Sequence, residues 1–276
     1  MLIKMTKDKI PTTHAEYAMQ IDLNADIGEG FHDDAIVPWI SSANISCGAH
    51  AGSESDMRHA MRLCKLYQVA VGAHPSYPDH INFGRMAMDI SITDLRASLM
   101  QQLDFFLSVA AEEGVAVRHL KAHGALYNIA AQDPPTGMLL LELCKHYQLP
   151  LMTLAQSPLQ FQALALKMPV ITEAFADRAY QANGQLVSRA VPGAILNTDD
   201  AIAQSLRLVK HQQINAITGE VLGLQADSLC LHGDSPEAIR LAHQLHQSLV
   251  QQAIQIKAKV TYHSPNSNQI EVPWTL

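Results

Sequence analysis

The sequence lacks most of the signatures that settle a function at sight. No GxxxxGK[ST] stretch occurs, so there is no P-loop, and Gly28-Glu29-Gly30 has no third glycine to make a dinucleotide fingerprint. No HExxH pair is present. The four cysteines, Cys47, Cys64, Cys144 and Cys230, form no CxxC pair and read as free thiols of a reducing compartment. Cys47 and Cys230 have no adjacent base and read as buried thiols. Positive charge is scarce, with 19 Lys and Arg against 26 Asp and Glu and a net charge of −7. That excludes nucleic acid and an anionic membrane as main partners, since both select a basic face. No apolar run reaches the roughly 20 residues that cross a bilayer. Residues 1–18 have no continuous apolar core and no small-residue cleavage site, so they do not read as a signal peptide. The expected location is the cytoplasm. No stretch rich in Pro, Gly or Ser divides the chain.

What is present is a core-forming composition, 48% hydrophobic and 16% charged. One pattern recurs from Met19 onward: a short apolar run ends in polar residues, and a helical segment follows. The expected strands are 21–26, 43–50, 69–74, 116–123, 150–155, 170–175 and 227–234. A helix over 53–67 opens on the capping pair Ser53 and Asp56. Another spans 91–114, started by Ser91 and Asp94 and stopped by Gly114, with Leu95, Leu99, Leu103, Phe106 and Ala110 on one face. Further helices are expected near 137–148 and at 236–254, the latter with Ile239, Ala242, Leu245, Leu249 and Ala253 on one face. Residues 185–195 and 255–276 offer further strands. Strands alternating with helices imply a parallel sheet. The expected fold is α/β: a single distorted (β/α) barrel of about seven parallel strands over residues 19–256. Residues 1–18 are expected to form a disordered extension, and 257–276 a tail that offers a strand.

In such barrels the active site lies at the C-terminal ends of the strands. Here those ends carry Asp26, His50, His74, His123, Glu173, His232 and Asp234. Any one of these histidines reads most simply as structural. A set converging on one rim reads as a site, and two chemistries fit it. His and Asp side chains can hold a divalent metal that activates water or polarises a carbonyl. Alternatively, carboxylates and imidazoles act as general acid and base while Lys121 stabilises a developing oxyanion or phosphate. The Gly-rich turn 24–30 adds Asn24 and Glu29. The long loop 75–89 adds Arg85, which either pairs with a substrate carboxylate or is solvated. His119, four residues before His123, reads as structural.

The stretches DLNADIGEG, SSANISCGAHAG, VGAHPSYPD, FGR, LKAHGALYN, EAFADRAY, LVSR and LCLHGD together resemble the LamB/YcsF family, that of the 5-oxoprolinase A subunits. The resemblance runs from about Ile21 to Ile254. It implies a barrel related to the glycoside hydrolase/deacetylase superfamily. It also implies ATP-dependent opening of 5-oxo-L-proline (pyroglutamate) to L-glutamate, in a complex with partner subunits B and C. On that footing Asp26, His123, Lys121 and Glu173 are the expected catalytic residues. Asn24, Glu29, Asn44, Arg85 and Arg178 are the expected substrate-binding residues. A divalent metal (Mg, Mn or Zn) would fall to Asp26, His50, His74, His232 and Asp234. The chain departs from the family pattern at four positions: Ala49 for Phe, Ser76 for Gly, Met86 for Arg and Ala122 for Pro. Two other functions fit the residues. One is an ATP-independent, metal-dependent amidohydrolase or deacetylase; the other is a non-catalytic subunit that binds pyroglutamate and delivers it.

Overall fold

Along the first strand every second residue is polar: Asp22, Asn24 and Asp26 alternate with Leu23, Ala25 and Ile27. The computed structural model, which describes residues 19–231 and 236–259, shows where each side goes. Leu23 and Ala25 are fully enclosed, and so is Asn24. The strand is covered on both faces, and its polar face turns toward other polar side chains rather than toward water.

The strands are β1 (Met19–Ile27), β2 (Ser42–Ser46), β3 (Ala70–His74), β4 (Val117–Leu120), β5 (Leu151–Leu154), β6 (Val170–Phe175), β7 (Gln213–Asn215), β8 (Val221–Gly223), β9 (Ser228–Leu231) and β10 (Ile254–Ile256). The helices are α1 (Asp33–Ile36), α2 (Glu54–Tyr67), α3 (Ile92–Glu113), α4 (Gly124–Ala130), α5 (Pro134–His146), α6 (Pro158–Ala165), α7 (Thr198–His211) and α8 (Pro236–Gln251). β1 to β6 and β9 pair in parallel, in that order, and β9 closes onto β1. This is the expected seven-stranded barrel. β10 lies outside the ring and extends the N-terminal end of β1 through Met19, Gln20 and Ile21. β7 and β8 form a separate antiparallel hairpin.

Local chemistry fixes the helix ends as expected. Ser53 and Asp56 form the reciprocal capping box of α2. Ser91 caps α3, and Gly114 ends it at φ 64°, a conformation that costs glycine little. Leu95, Leu99, Leu103, Phe106 and Ala110 are all buried against the barrel. Several boundaries differ from expectation. β2 stops at Ser46, because Gly48 turns the chain at φ 83°, so His50 lies on the following loop. β4 stops at Leu120, and His123 is the residue before the first turn of α4. α8 ends at Gln251, leaving Ala253 exposed at φ 53°. Residues 185–195 form no named strand and contribute only isolated bridges, Arg178 with Ile195 and Tyr180 with Leu186. Among the described residues no helix is long and apolar enough to cross a membrane.

The polar layer inside the barrel is continuous. Asp22 accepts hydrogen bonds from Ser41, Ser42 and Ser228. Asn24 donates to Ser228 at 2.7 Å and accepts from Asn44 at 2.7 Å. Asn44 also donates to Asp26 at 2.9 Å, and its Oδ1 lies 2.7 Å from His119 Nε2. The His119 ring fits because Gly72, on neighbouring β3, has no side chain: a Cβ there would stand 2.1 Å from Nε2. Gly72→Ala therefore displaces His119 and strains the layer. Overpacking of this kind costs about 2 kcal/mol, which scanning calorimetry is expected to read as a Tm fall of about 5 °C. An unchanged Tm would show that the layer yields at this point.

Candidate active site

Lys121 stands just beyond the end of β4, only 2% exposed. Its Nζ lies 2.8 Å from Glu173 Oε1 and 3.0 Å from Asp26 Oδ1, with Cys230 Sγ at 3.2 Å and Asn24 Oδ1 at 3.3 Å. The rings of Phe175 and Tyr127 face the ammonium at 5.6 and 5.8 Å. Burial works to lower the Lys121 pKa, but the charges of Asp26 and Glu173 override it and hold it well above the usual lysine range. Burial likewise works to raise the Asp26 carboxyl, and His74 and Lys121 hold it well below the carboxylate range. The pair is ionised.

Beside Asp26 the ligand atoms of Glu29, His50, His74 and His123 lie within 4.8 Å of one another. Each imidazole is anchored from behind. His74 Nδ1 is 2.8 Å from the Lys121 carbonyl oxygen, and His123 Nε2 is 3.0 Å from that of Phe83. A carbonyl only accepts, so both nitrogens carry the proton. His50 Nδ1 is 3.0 Å from Ser76 Oγ, whose own hydrogen goes to the Tyr77 carbonyl at 2.7 Å. That nitrogen therefore donates as well. Ser76 is one of the departures from the family pattern, and here its hydroxyl orients His50.

The second nitrogen of each ring points inward, bare in the neutral form. His74 Nε2 faces His123 Nδ1 at 3.0 Å, and His50 Nε2 faces Glu29 Oε1 at 2.9 Å. Asp26 Oδ2 is 3.3 Å from His74 Nε2. Burial and the neighbouring His74 push the His50 pKa down to about 3; burial, His74 and His50 push that of His123 down to about 2. The His50 and His123 rings, held neutral, aim lone pairs at the Glu29 carboxylate and at His74, an arrangement that a cation among them would stabilise. Three imidazoles and one carboxylate, each oriented by an outer partner, suit a borderline ion such as zinc. An all-oxygen preference makes magnesium a poor match.

The loops that carry this cluster are tightly interlocked. Ala125 N–H donates to the Gly84 carbonyl at 2.9 Å. A Cβ on Gly124, at φ 55°, would stand 2.5 Å from that oxygen. Phe83, at φ 55°, holds an unusual backbone conformation that aims its carbonyl at His123. The His50 and His123 rings stack with centroids 3.8 Å apart.

A cavity of about 420 Å³ opens over Asp26, Glu29, Lys121 and His123. Its lining also includes Arg85, Tyr127, Arg178 and Arg189. Of the expected catalytic residues, Asp26, Lys121 and His123 line the cavity and Glu173 lies beneath, touching Lys121. Asn24 and Asn44, expected to bind substrate, are fully buried below Asp26, with their amides engaged in the polar layer. Glu29, also expected to bind substrate, sits among the histidines, and His123 joins them there. Asp26 stands at the edge of that cluster, between it and Lys121. His232 and Asp234 lie outside the described residues. Sequence reasoning missed Tyr127, Arg189, Ser76 and the contact between Cys230 and Lys121. Tyr127 had a usable signal, one helical turn after His123.

The LamB/YcsF family profile matches residues 21–264. The chain belongs to the LamB/YcsF family. It is 41% identical over 248 residues to the 5-oxoprolinase A subunit of Chloroflexus aggregans, covering 87% of this chain and 98% of that one. It is 41% identical over 243 residues to the 5-oxoprolinase A subunit of Neisseria meningitidis, covering 87% and 99%. Among solved structures it resembles the lactam utilization protein of Thermus thermophilus, with a TM-score of 0.82 and 36% identity over 87% of this chain and 100% of that one.

The buried histidines give the LamB/YcsF barrel a defined acid sensitivity. His119 is held down to about 3 by burial and by Lys121, alongside His50 at about 3 and His123 at about 2. Each takes a proton near 6.5 when unfolded and refuses it when folded. Their stabilisation is therefore complete above about pH 6.5 and is lost as pH falls below it, by about 1.4 kcal/mol per pH unit for each ring. Chemical denaturation at pH 7.5, 6.5 and 5.5 is expected to show little change over the first step and a marked fall over the second. A flat profile would mean that these rings titrate freely.

Proposed function

We propose that this chain is the A subunit of an ATP-dependent 5-oxoprolinase, which opens the lactam of pyroglutamate to L-glutamate together with subunits B and C. The observation that carries the reading is the buried Lys121 ammonium, held by Asp26 and Glu173 at the floor of a small cavity whose lining also includes Arg85, Arg178 and Arg189. That arrangement suits a small substrate with one carboxylate and one amide oxygen that gains charge. The names of the LamB/YcsF relatives support the same substrate. The four buried, unpaired cysteines support a reducing, cytoplasmic setting.

A lactam is a stable amide, so coupling to ATP gives its opening a driving force. The lactam oxygen attacks the terminal phosphorus, and the bond to ADP breaks. Water then adds to the activated carbon, the C–N bond breaks, and the ring nitrogen leaves with a proton. The acyl phosphate left behind takes a second water, giving glutamate and phosphate. Lys121 steadies the lactam oxygen as its charge develops. Glu173 keeps Lys121 in place from below. Ionised Asp26 orients the attacking water between Lys121 and the histidines. Arg85, stacked 4.8 Å over Phe83, holds the substrate carboxylate. A divalent ion held by Glu29, His50, His74 and His123 would supply Lewis acidity beside Asp26.

The inward lone pairs of the histidines favour a second reading, a metal-dependent amide hydrolase that needs no ATP. Two measurements on the chain copurified with subunits B and C separate the two. Arg85→Ala is expected to raise the KM for pyroglutamate about tenfold with little change in kcat, and His123→Ala to lower kcat about 100-fold. Glutamate formation is expected to require ATP. Full turnover without ATP, by a chain that elemental analysis shows to carry one zinc, would favour the second reading and overturn the first.

A further inference from the structure

Arg178 and Arg189 line the catalytic cavity, and the same two residues line a second cavity of about 470 Å³ behind it. The two cavities therefore adjoin at these residues. Arg178 is 7% exposed. Its backbone is fixed, with the carbonyl accepting from Gln204 at 2.9 Å and the chain bridged to Ile195. One Nη donates to the Val187 carbonyl at 2.6 Å, while Nε has no acceptor among the described residues. Burial and the adjacent charge of Arg189 both pull the Arg178 pKa below its ordinary value, so the two cations strain against each other. A buried guanidinium with an unused donor beside a second guanidinium is a site for an anion.

The second cavity continues that chemistry. Asn197 and Thr198, at the N-terminus of the 14-residue α7, form part of its lining. Arg240 lines it as well, with Nη2 3.4 Å from Thr198 Oγ1. The helix start is itself capped, with Asn197 Oδ1 accepting from Asp200 N–H at 2.9 Å and Asp199 and Asp200 in its first turn, so the positive charge of this cavity comes from its three arginines. Asp177 and Glu237 also line the cavity, so a bare anion is disfavoured and one carrying a divalent cation is favoured. The volume exceeds what one phosphate needs.

We infer that this second cavity holds the magnesium-bound phosphate chain of a nucleoside triphosphate, with Arg178 and Arg189 facing its terminal phosphate across from the lactam. The inference rests on the proposed coupled reaction and gives that reaction a nucleotide site without a P-loop. It also assigns the arginines separate tasks: Arg85 takes the substrate carboxylate, Arg178 and Arg189 the transferred phosphate, and Arg240 the rest of the chain.

The test is calorimetric titration of the full-length chain with magnesium β,γ-imido-ATP, with magnesium tripolyphosphate and, separately, with pyroglutamate. Arg189 and Arg240 are exposed, so their substitution spares the fold, which a thermal melt verifies. The analogue is expected to bind, and tripolyphosphate to compete with it. Arg189→Ala and Arg240→Ala are each expected to weaken the analogue about tenfold, and Arg240→Ala to leave pyroglutamate affinity unchanged. Arg178→Lys keeps a charge in the wall and is expected to weaken the analogue less than Arg178→Ala. The inference is overturned if the analogue does not bind, or if it binds equally well to the arginine variants. Either result would leave ATP-dependent glutamate formation by the complex standing. Loss of that ATP dependence, with analogue binding intact, would overturn the reaction instead.

Discussion

A lysine ammonium cannot be buried unless something answers its charge, and in this barrel the answer is shared between Asp26 and Glu173. The two carboxylates come from opposite parts of the chain, β1 and β6, and meet only because β9 bridges those strands. Removing the ammonium would leave two buried carboxylates without their shared cation, a loss of about 3–5 kcal/mol. The polar layer below follows from this constraint. Asn24, Asn44, Ser228 and Asp22 extend the hydrogen bonding that keeps Asp26 fixed, down to the far end of β1. A barrel interior is ordinarily filled with branched aliphatic side chains. Here a polar layer from Asp22 to Asp26 runs through it and ends on one cation at the floor of the cavity.

The histidine cluster answers to the opposite constraint. Lys121 is a cation with its anions supplied, whereas Glu29, His50, His74 and His123 gather electron-donating atoms within 4.8 Å of one another. Asp26 touches both, through Oδ1 to Lys121 and Oδ2 to His74. The main chain couples them again, since the Lys121 carbonyl sets the tautomer of His74. A change at Lys121 therefore reaches the cluster by two routes. The arginines Arg85, Arg178 and Arg189 add a third charged group to the cavity lining. This distribution favours a small anionic substrate approached by a second anion.

Much of the fold was legible because local rules and global arrangement agree. Ser53 with Asp56, and Ser91 with Gly114, mark α2 and α3 at the positions where the structure begins and ends them. α7 was missed despite a legible signal, since Asn197 caps it and Ala201, Ile202, Ser205, Leu208 and Val209 recur at helical spacing. The rim was legible as a set of ionisable residues near strand ends, but their roles were not. Asp-x-Asn-x-Asp on β1 and Ser-x-Asn-x-Ser on β2 alternate as a half-exposed strand would. Only closure of the barrel turns those positions into a buried layer, which moves Asn24 and Asn44 away from the cavity. Glu29 joins the histidines for a similar reason: its turn folds back over His50, a contact between segments that no local pattern announces. The tautomers depend on carbonyls of Phe83 and Lys121, and backbone acceptors leave no trace in residue identity.

Everything at the cavity floor depends on Lys121 being a permanent cation. Its side-chain NMR signal, observed with selectively ¹⁵N-labelled lysine and assigned by comparison with Lys121→Arg, measures that directly. The expected result is no titration between pH 6 and pH 10, because Asp26 and Glu173 hold the pKa well above the ordinary value of 10.5. Titration of Lys121 near neutrality would contradict this, showing a neutral amine at the cavity floor and leaving the lactam oxygen without its fixed charge.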